Sequence, residues 1–394
     1  MSCIKLYLED ANCLTASAQV LCCVPNRSGG FDIETDRTPL FPEGGGQRSD
    51  TGTMNGARIL HCREENGTVL HSTDAPFAVG ETVTITVDAA VRRLHTQQHT
   101  GEHILSFAYA QLFGAENIGF HMSEDAVTID LDRMLSEEEI RRGEAFANEM
   151  VWADREIRIF TVDAGEMGEL PLRKKNEKLT GAVRIVAIEG GEMCTCCGTH
   201  FARTAQVGMI KVLEHIRYKQ GCRITFVCGE LALRWFEMEN RELRRTASKL
   251  SVKPEGVYDA LQRKEEQINT LHGTLREKST QLAALYTEKL KGECRREADF
   301  RIAAAVLPVD FDTVKRIAEQ LCADADMLAV LVCEEGGRYR YFCMAGDACP
   351  KSCRDVAAQL NKALNAKGGG NPKTAQGSLE KTEVEKILSV LKAL

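Results

Sequence analysis

No stretch of eighteen apolar residues occurs anywhere in the 394-residue chain, so no membrane-spanning helix and no membrane partner are expected. The opening residues, MSCIKLYLED, lack an apolar signal core and a small-residue cleavage site, which argues for a cytoplasmic protein. Positive charge is not in excess either. The 50 Lys and Arg against 57 Asp and Glu leave a net charge of -7, which counts against a generally basic nucleic-acid binder. Contact with phosphate would have to come from local patches. RKKNEK at 173–178 and RELRRTASK at 241–249 are candidates, and each serves equally as a solvated helix or loop face. The 16 cysteines do not require disulfides, because a chain this long builds a core without them. Reduced thiols suit metal ligation better. Hydrophobic content of 43% and charged content of 27% are ordinary for a soluble protein, and the length predicts two to four domains.

What is present begins with LHTQQHTGEHILSFAYAQLF, residues 94–113. Ile104, Leu105, Phe107 and Ala108 recur at helical spacing, and on a helix His99 and His103 share one face. That pair is half of a metal site, although the same spacing also serves two surface or core histidines. A second pair at the same interval follows, Cys196 and His200 in CCGTH. His, His, Cys and His make a complete tetrahedral set for Zn²⁺, one ion per chain. With a thiolate and three neutral imidazoles the filled site would carry about +1. Cys194 and Cys197 are spare thiols beside it, Cys197 is an alternative to Cys196, and His95 is a further candidate one turn before His99. Residues 99–103 also spell H-x-x-E-H, the inverted zinc-protease pattern, in which Glu102 would be the general base. The Cys196/His200 pair offers a better-defined remainder of the site than a protease would need.

Residues 4–8, 18–24, 31–35, 57–62 and 82–87 are short, partly alternating or β-branched runs parted by turn residues, which predicts a small β-barrel over 1–90. Between two of these runs lies TPLFPEGGGQRSDTG, residues 38–52. Gly44, Gly45 and Gly46 give no packing, so the loop either brings backbone close to a ligand or is a plain turn; Gln47, Asp50 and Thr51 favour the first. Residues 91–236 read as α+β. The histidine helix comes first, then a helix at 135–153 opened by a Ser136 cap, then strands at 156–162, 183–188, 209–212 and 223–227. Over 237–294, Leu261, Ile268, Leu275 and Leu282 recur every seven residues, with Leu271 and Leu285 between them and Lys264 and Lys278 interrupting. This predicts a helical hairpin or a weak coiled-coil linker, through which two chains could pair. Residues 295–394 alternate strands at 301–307, 327–332 and 339–344 with helices at 311–323, 352–366 and 381–394, an α/β pattern. Within it KGGGNPKTAQG, residues 367–377, is expected as a loop. Gly368, Gly369, Gly370 and Asn371 there either present backbone N–H groups to a phosphate or base, or simply stop a helix.

Taken together, these motifs resemble the alanyl-tRNA editing proteins, the AlaX family, free-standing relatives of the editing half of alanyl-tRNA synthetase. His99/His103 and Cys196/His200 look like that family's zinc motifs. FPEGGGQRSDTG, residues 41–52, looks like its glycine motif, with Thr38 where the family carries a threonine. Residues 208–230 are similar to the segment after the Cys/His motif, and residues 368–377 to the C-terminal loop of the DHHA1 domain found in the longer members. The likeness covers essentially the whole chain. Two departures stand out: Cys197 replaces a glycine of the synthetases, and Asn371 stands where they often carry a basic residue.

The resemblance implies an α+β multidomain protein. Its parts would be an N-terminal small β-barrel (1–90), an α+β zinc-containing editing core (91–236), a helical linker (237–294) and a C-terminal α/β DHHA1-like tRNA-binding domain (295–394). It implies a hydrolase that deacylates mischarged tRNA(Ala), chiefly Ser-tRNA(Ala) and also Gly-tRNA(Ala), in the cytoplasm. Thr38 would discriminate the serine hydroxyl, and Gln47 with Gly44–Gly46 would hold the ester. Gly368–Gly370 and Asn371 would contact tRNA, and a homodimer could form through the linker or the C-terminal domain. The 394 residues leave no room for an ATP-binding aminoacylation domain, so a ligase is not expected. The competing readings are a non-catalytic tRNA-binding protein with a structural zinc and, less compatible with the motifs, the H-x-x-E-H protease.

Overall fold

The computed structural model describes residues 3–173 and 180–394. Of the basic run at 173–178, only Arg173 falls within the described residues. The chain divides into two compact units, Met1–Arg245 and Thr246–Leu394, where four segments were expected. The architecture is α+β, with several separate sheets.

The first unit opens with strands Thr15–Pro25, Phe31–Thr35, Gly52–Met54, Ala57–Glu65, Thr68–Thr73 and Thr82–Val87, which close into a barrel. Alternation explains it. Along Thr82–Val87, Val83, Ile85 and Val87 point inward while Thr82, Thr84 and Thr86 face out. Ala18, Val20, Ile33, Met54, Ile59 and Val69 fill the rest of the interior. Each fully buried aliphatic side chain contributes roughly 1.5–3 kcal/mol. The barrel needs a close crossing at Gly52, where a Cβ would lie 2.1 Å from the Thr86 carbonyl oxygen.

Helix α1 (Ala89–Phe113) follows, capped by Asp88, whose carboxylate accepts from the Ala90 and Val91 amides. Gly114, at φ 62°, ends it. Helix α2 (Glu137–Trp152) carries the expected cap: Ser136 and Glu139 form a capping box. A four-stranded sheet runs in the order Ile210–Tyr218, Gly221–Cys228, Val127–Leu131, Asn117–Met122, and a three-stranded one in the order Ile157–Asp163, Ala182–Ile188, Met193–Thr195. Ile104, Leu105 and Tyr109 of α1 share one core with Met150 and Val151 of α2 and with Ile129, Ile224 and Phe226 of the sheet. The helices touch at Gly143, where a Cβ would lie 2.2 Å from the Tyr109 ring.

Helix α1 is buried along most of its length although its sequence is polar. Arg92 donates to Asp50 Oδ2 from Nε at 2.9 Å, to the Pro39 carbonyl at 2.6 Å and to the Ala11 carbonyl at 2.6 Å. Phe41 N also donates to Asp50 Oδ2, at 2.7 Å. The glycine loop is thereby pinned to the first turns of α1. Gln98 brackets the backbone of Cys228, accepting from its N at 2.8 Å and donating to its O at 2.8 Å.

Helix α3 (Gly229–Leu250) spans the unit boundary. In the second unit, helix α4 (Val257–Glu293) runs for 37 residues. A six-stranded sheet follows, ordered Arg295–Arg296, Arg301–Leu307, Met327–Glu335, Arg338–Ala345, Thr374–Leu379, Lys367–Gly370. Arg301–Leu307 and Met327–Glu335 pair in parallel, joined by helix α5 (Phe311–Leu321); the other pairs are antiparallel. Met327, Ala329 and Leu331 pack with α5 and the end of α4. Leu328, Val330 and Val332 pack on the other face with helices α6 (Cys353–Leu364) and α7 (Val384–Lys392).

The glycine cluster expected as a loop is an edge strand, Lys367–Gly370, with a turn through Asn371. Glycines carry no alternation pattern, so the strand left no trace in hydropathy. Glycines of this strand and its neighbour make room for Tyr341: a Cβ on Gly368 would lie 2.3 Å from the Tyr341 hydroxyl, and one on Gly377, in Thr374–Leu379, would lie 2.5 Å from the ring.

Candidate functional site

The i, i+4 spacing on α1 sets the His99 and His103 rings 5.1 Å apart, centroid to centroid. The loop after Met193–Thr195 carries Cys196 and His200 to them. His99 Nε2 lies 3.1 Å from Cys196 Sγ, His200 Nε2 lies 3.4 Å from it, and the His103 and His200 rings are 4.6 Å apart. One donor atom from each of the four lies within 4.8 Å of all the others, which is the spacing of ligands around one tetrahedral ion. Cys196 joins this group; Cys197 is exposed and lines a neighbouring cavity instead. His95 stands apart, lining a different cavity.

The charges suit a cation. Burial alone would raise the Cys196 thiol, but His99, His103 and His200 outweigh it and hold the thiol well below its ordinary range. Burial drives His200 the other way, down to about 3. Burial would lower His103, but the surrounding Cys194, Glu192, Cys196 and Glu102 hold it well above its ordinary value, so the pocket draws positive charge that a metal ion would supply in place of that proton. Three imidazoles and a thiolate are a donor set that zinc takes, so these residues fit such an ion.

The loop is held by the glycine motif. Thr199 N donates to Gln47 Oε1 at 3.1 Å, and Gln47 Nε2 donates to Thr199 Oγ1 at 3.0 Å. Thr199 Oγ1 also lies 2.8 Å from Thr96 Oγ1 on α1. Arg184 donates to the carbonyls of Cys196 at 2.7 Å and Gly198 at 3.0 Å. Gly198 must be bare, since a Cβ there would lie 2.5 Å from the His99 ring. Gly44 and Gln47 exchange two backbone hydrogen bonds, at 3.1 and 3.0 Å, so Gly44–Gln47 is a tight turn. Gly46, at φ 85°, has no room for a side chain beside Phe120, whose ring meets His99 edge-on at 5.4 Å.

Two cavities adjoin the four residues. The larger, about 570 Å³, extends past Tyr7, Phe41 and Lys5. The smaller, about 160 Å³, is closed by Glu102, Asn117, Arg173, Glu192 and Cys194. Gly45, His99, Thr195 and Cys196 belong to the walls of both.

Thr38 lines neither. It is fully buried, its Oγ1 2.8 Å from His71 Nε2 and accepting from Leu40 N at 3.1 Å. His71 Nδ1 faces the Ile33 carbonyl at 3.0 Å and burial holds its pKa down at about 4, so Nδ1 carries the proton and Nε2 accepts from Thr38. The Thr38 hydroxyl is thus committed as donor and acceptor. Gly368, Gly369, Gly370 and Asn371 belong to the second unit. Asn371 Oδ1 accepts from the Lys373 and Thr374 amides at 2.8 Å each, closing the hairpin turn.

Three groups of the smaller cavity escaped the sequence reading. Arg173 sat in a basic run that reads as solvated, yet it donates to Glu192 Oε1 from Nε at 2.9 Å. Glu192 Oε2 reaches within 3.2 Å of His103 Nδ1. Asn117 lies in a strand that hydropathy did not reveal. The one signal for Glu192 was its place in the Gly- and Cys-rich loop, four residues before Cys196.

Residues 183–225 match the family described as the threonyl and alanyl tRNA synthetase second additional domain. Among curated relatives, the alanine–tRNA ligase of Pyrococcus abyssi is 28% identical over 406 aligned residues, covering 98% of this chain and 43% of the ligase. That of Methanopyrus kandleri is 30% identical, covering 89% and 40% respectively. The chain therefore spans about two-fifths of the length of these ligases. The alanyl-tRNA editing protein Aarsd1 of Mus musculus is 26% identical over 357 residues, covering 89% of this chain and 85% of that protein. A solved C-Ala domain of Aquifex aeolicus alanyl-tRNA synthetase covers 25% of this chain at 17% identity and a TM-score of 0.23, too slight a likeness to bear on the fold.

Proposed function

We propose that this AlaX-like chain, similar along nearly all of its length to alanyl-tRNA editing proteins, is a trans-editing hydrolase. It would cleave the ester of mischarged tRNA(Ala), chiefly Ser-tRNA(Ala) and also Gly-tRNA(Ala). The observation that carries the reading is the pair of unequal cavities meeting at His99 and Cys196. An aminoacyl ester has a nucleoside on one side of its carbonyl and a small amino acid on the other. The larger cavity suits the terminal adenosine, the smaller suits glycine or serine, and the ester falls at the shared wall. A second site of this kind is needed because a synthetic pocket for alanine rejects an added hydroxyl or a missing methyl by only about 10²-fold.

His99, His103, Cys196 and His200 would hold one Zn²⁺, which when bound supplies Lewis-acid polarisation of the carbonyl or of a water. The other residues position and exclude. Gly45 brings bare backbone to the junction. Gln47 acts through Thr199, fixing the loop that bears Cys196 and His200, and Thr38 acts through His71 in the barrel wall behind the glycine motif. The second unit is proposed as a DHHA1-like tRNA-binding domain, with Gly368–Gly370 and Asn371 at its exposed edge. The substrate would place the chain in the cytoplasm, and two chains could pair through α4.

Purified protein incubated with radiolabelled Ser-tRNA(Ala) and Ala-tRNA(Ala), with and without a chelator, tests the reading. Selective deacylation of the serine ester that the chelator abolishes is the expected result. Binding without deacylation would leave a non-catalytic tRNA binder instead.

A further inference from the structure

Two buried carboxylates line the smaller cavity. Glu102 and Glu192 approach the two nitrogens of His103, Glu102 Oε2 at 3.7 Å from Nε2 and Glu192 Oε2 at 3.2 Å from Nδ1. Both residues are at least nine-tenths buried, at 6% and 1% exposure. Their surroundings differ. Arg173 answers Glu192 with two hydrogen bonds to Oε1, at 2.9 and 2.5 Å. Glu102 has no such cation. Ser106 Oγ and Asn117 Nδ2 both donate to its Oε1, at 2.6 Å each, and among the described residues nothing donates to its Oε2. Among the described residues, Glu192 Oε2 has only His103 Nδ1 beside it, at 3.2 Å.

A buried carboxylate oxygen without a donor is costly, and more so when the group is ionised. Two carboxylates on the wall of one cavity of about 160 Å³, each with an oxygen that no hydroxyl or amide answers, ask for a small ligand group with N–H donors and positive charge. The aminoacyl end of a charged tRNA carries one, its α-ammonium. We infer that Glu102 binds the α-ammonium of the aminoacyl ester through Oε2, with Glu192, oriented by Arg173, as the second acceptor. The inference rests on the deacylase reading above and names what its smaller cavity reads. The two contacts would turn the ester carbonyl toward the wall shared with the larger cavity. They also make the free amine a requirement. An N-acylated ester loses the charge and keeps a single N–H donor, so peptidyl esters should be poor substrates.

The test compares two esters of tRNA(Ala), one of serine and one of glycerate, the α-hydroxy acid of the same size, at about pH 6.5 where the amine is protonated. Each kcat/KM is divided by the uncatalysed rate of its own ester. The wild type is expected to favour the seryl ester by at least about tenfold, the weight of a charge-assisted hydrogen bond. Glu102→Gln keeps the shape and a carbonyl for Ser106 and Asn117. It should lower kcat/KM for the seryl ester by about 10- to 100-fold and for the glyceryl ester by less than about threefold, at unchanged metal content. An equal fall on both esters would mean that Glu102 only supports the site, and overturns the inference. Should the variant not fold, the wild-type ratio decides alone, and a ratio near one overturns it. Hydrolysis of neither ester by the wild type overturns the deacylase reading itself, and this inference with it.

Discussion

Helices α1 and α4 reverse the ordinary relation between polarity and burial. α1 hides Arg92, Thr96, Gln97, Gln98, His99, Glu102 and His103. α4 leaves Leu271, Leu275 and Leu285 exposed at 66%, 64% and 64%. The difference lies in partners rather than in residue type. Arg92 has Asp50, Gln98 has Cys228, and Thr96 has Thr199, so these buried groups recover what they lost to water, while the Nδ1 atoms of His95 and His99 have no hydrogen-bond partner among the described residues. The leucines of α4 have nothing of this unit laid over them. Its buried residues are Ala260 and, near the C-terminal end where it meets α5, Ala283, Thr287 and Leu290. A helix whose polar side chains find partners is held along most of its length, whereas a helix that packs at its ends leaves its middle open.

The first way to break this comparison is to remove one partner of the most buried pair. Asp50→Ala leaves the Arg92 guanidinium, 4% exposed, with carbonyls alone. Breaking a buried ion pair in this way costs about 3–5 kcal/mol. Calorimetry should show the fall in Tm in the transition of the first unit; no fall would mean that buried polar contacts do not hold α1 in place.

Next in size is a pH effect outside α1. Burial holds His71 at about 4, below its ordinary 6.5, so the native state refuses a proton that the unfolded chain accepts. Stability contributed by neutral His71 is complete above about pH 6.5 and is lost as pH falls toward 4, about 3 kcal/mol in all. Denaturant titrations across that range should show it, and His71→Gln should make the slope shallower, leaving the part that His200, also held low by burial, contributes. A smaller effect is expected from Gln98→Leu, which strands the Cys228 N–H and C=O and should cost about 1–3 kcal/mol.

The metal quartet was legible because ligand chemistry restricts residue types and a helix fixes the interval, whatever surrounds it. Strands 31–35 and 82–87 were legible because one face of each meets a core. Other features depend on distant partners. Nothing near Thr38 in sequence announces that His71, 33 residues on, will take its hydroxyl. Arg173 in a basic run looks solvated until Glu192 is folded against it. Lys367–Gly370 has no side chains from which to read a strand, and only pairing with Thr374–Leu379 makes it one. The same limit explains α1. Its polar residues gave the motif, but not that most of the helix would be buried.

The smallest expected effect sharpens the comparison from the side of α4. Leu271→Gln with Leu275→Gln removes exposed apolar surface from the middle of the helix, where no residue is buried. In a free chain the change should stay within about 0.5 kcal/mol, because solvent-exposed substitutions away from packing features do little. A seven-residue leucine stripe is also the pattern by which helices pair, and if two chains join through α4 those leucines are the contact. Sedimentation equilibrium of wild type and double variant separates the cases. A monomer for both, with unchanged Tm, leaves α4 as a spacer with apolar residues in water. A wild-type dimer whose Tm depends on protein concentration, dissociated by the substitutions to a monomer whose Tm does not, would show that the leucines do find a partner. The contrast with α1 would then be one of timing, since α1 is satisfied as the chain folds and α4 when two chains meet.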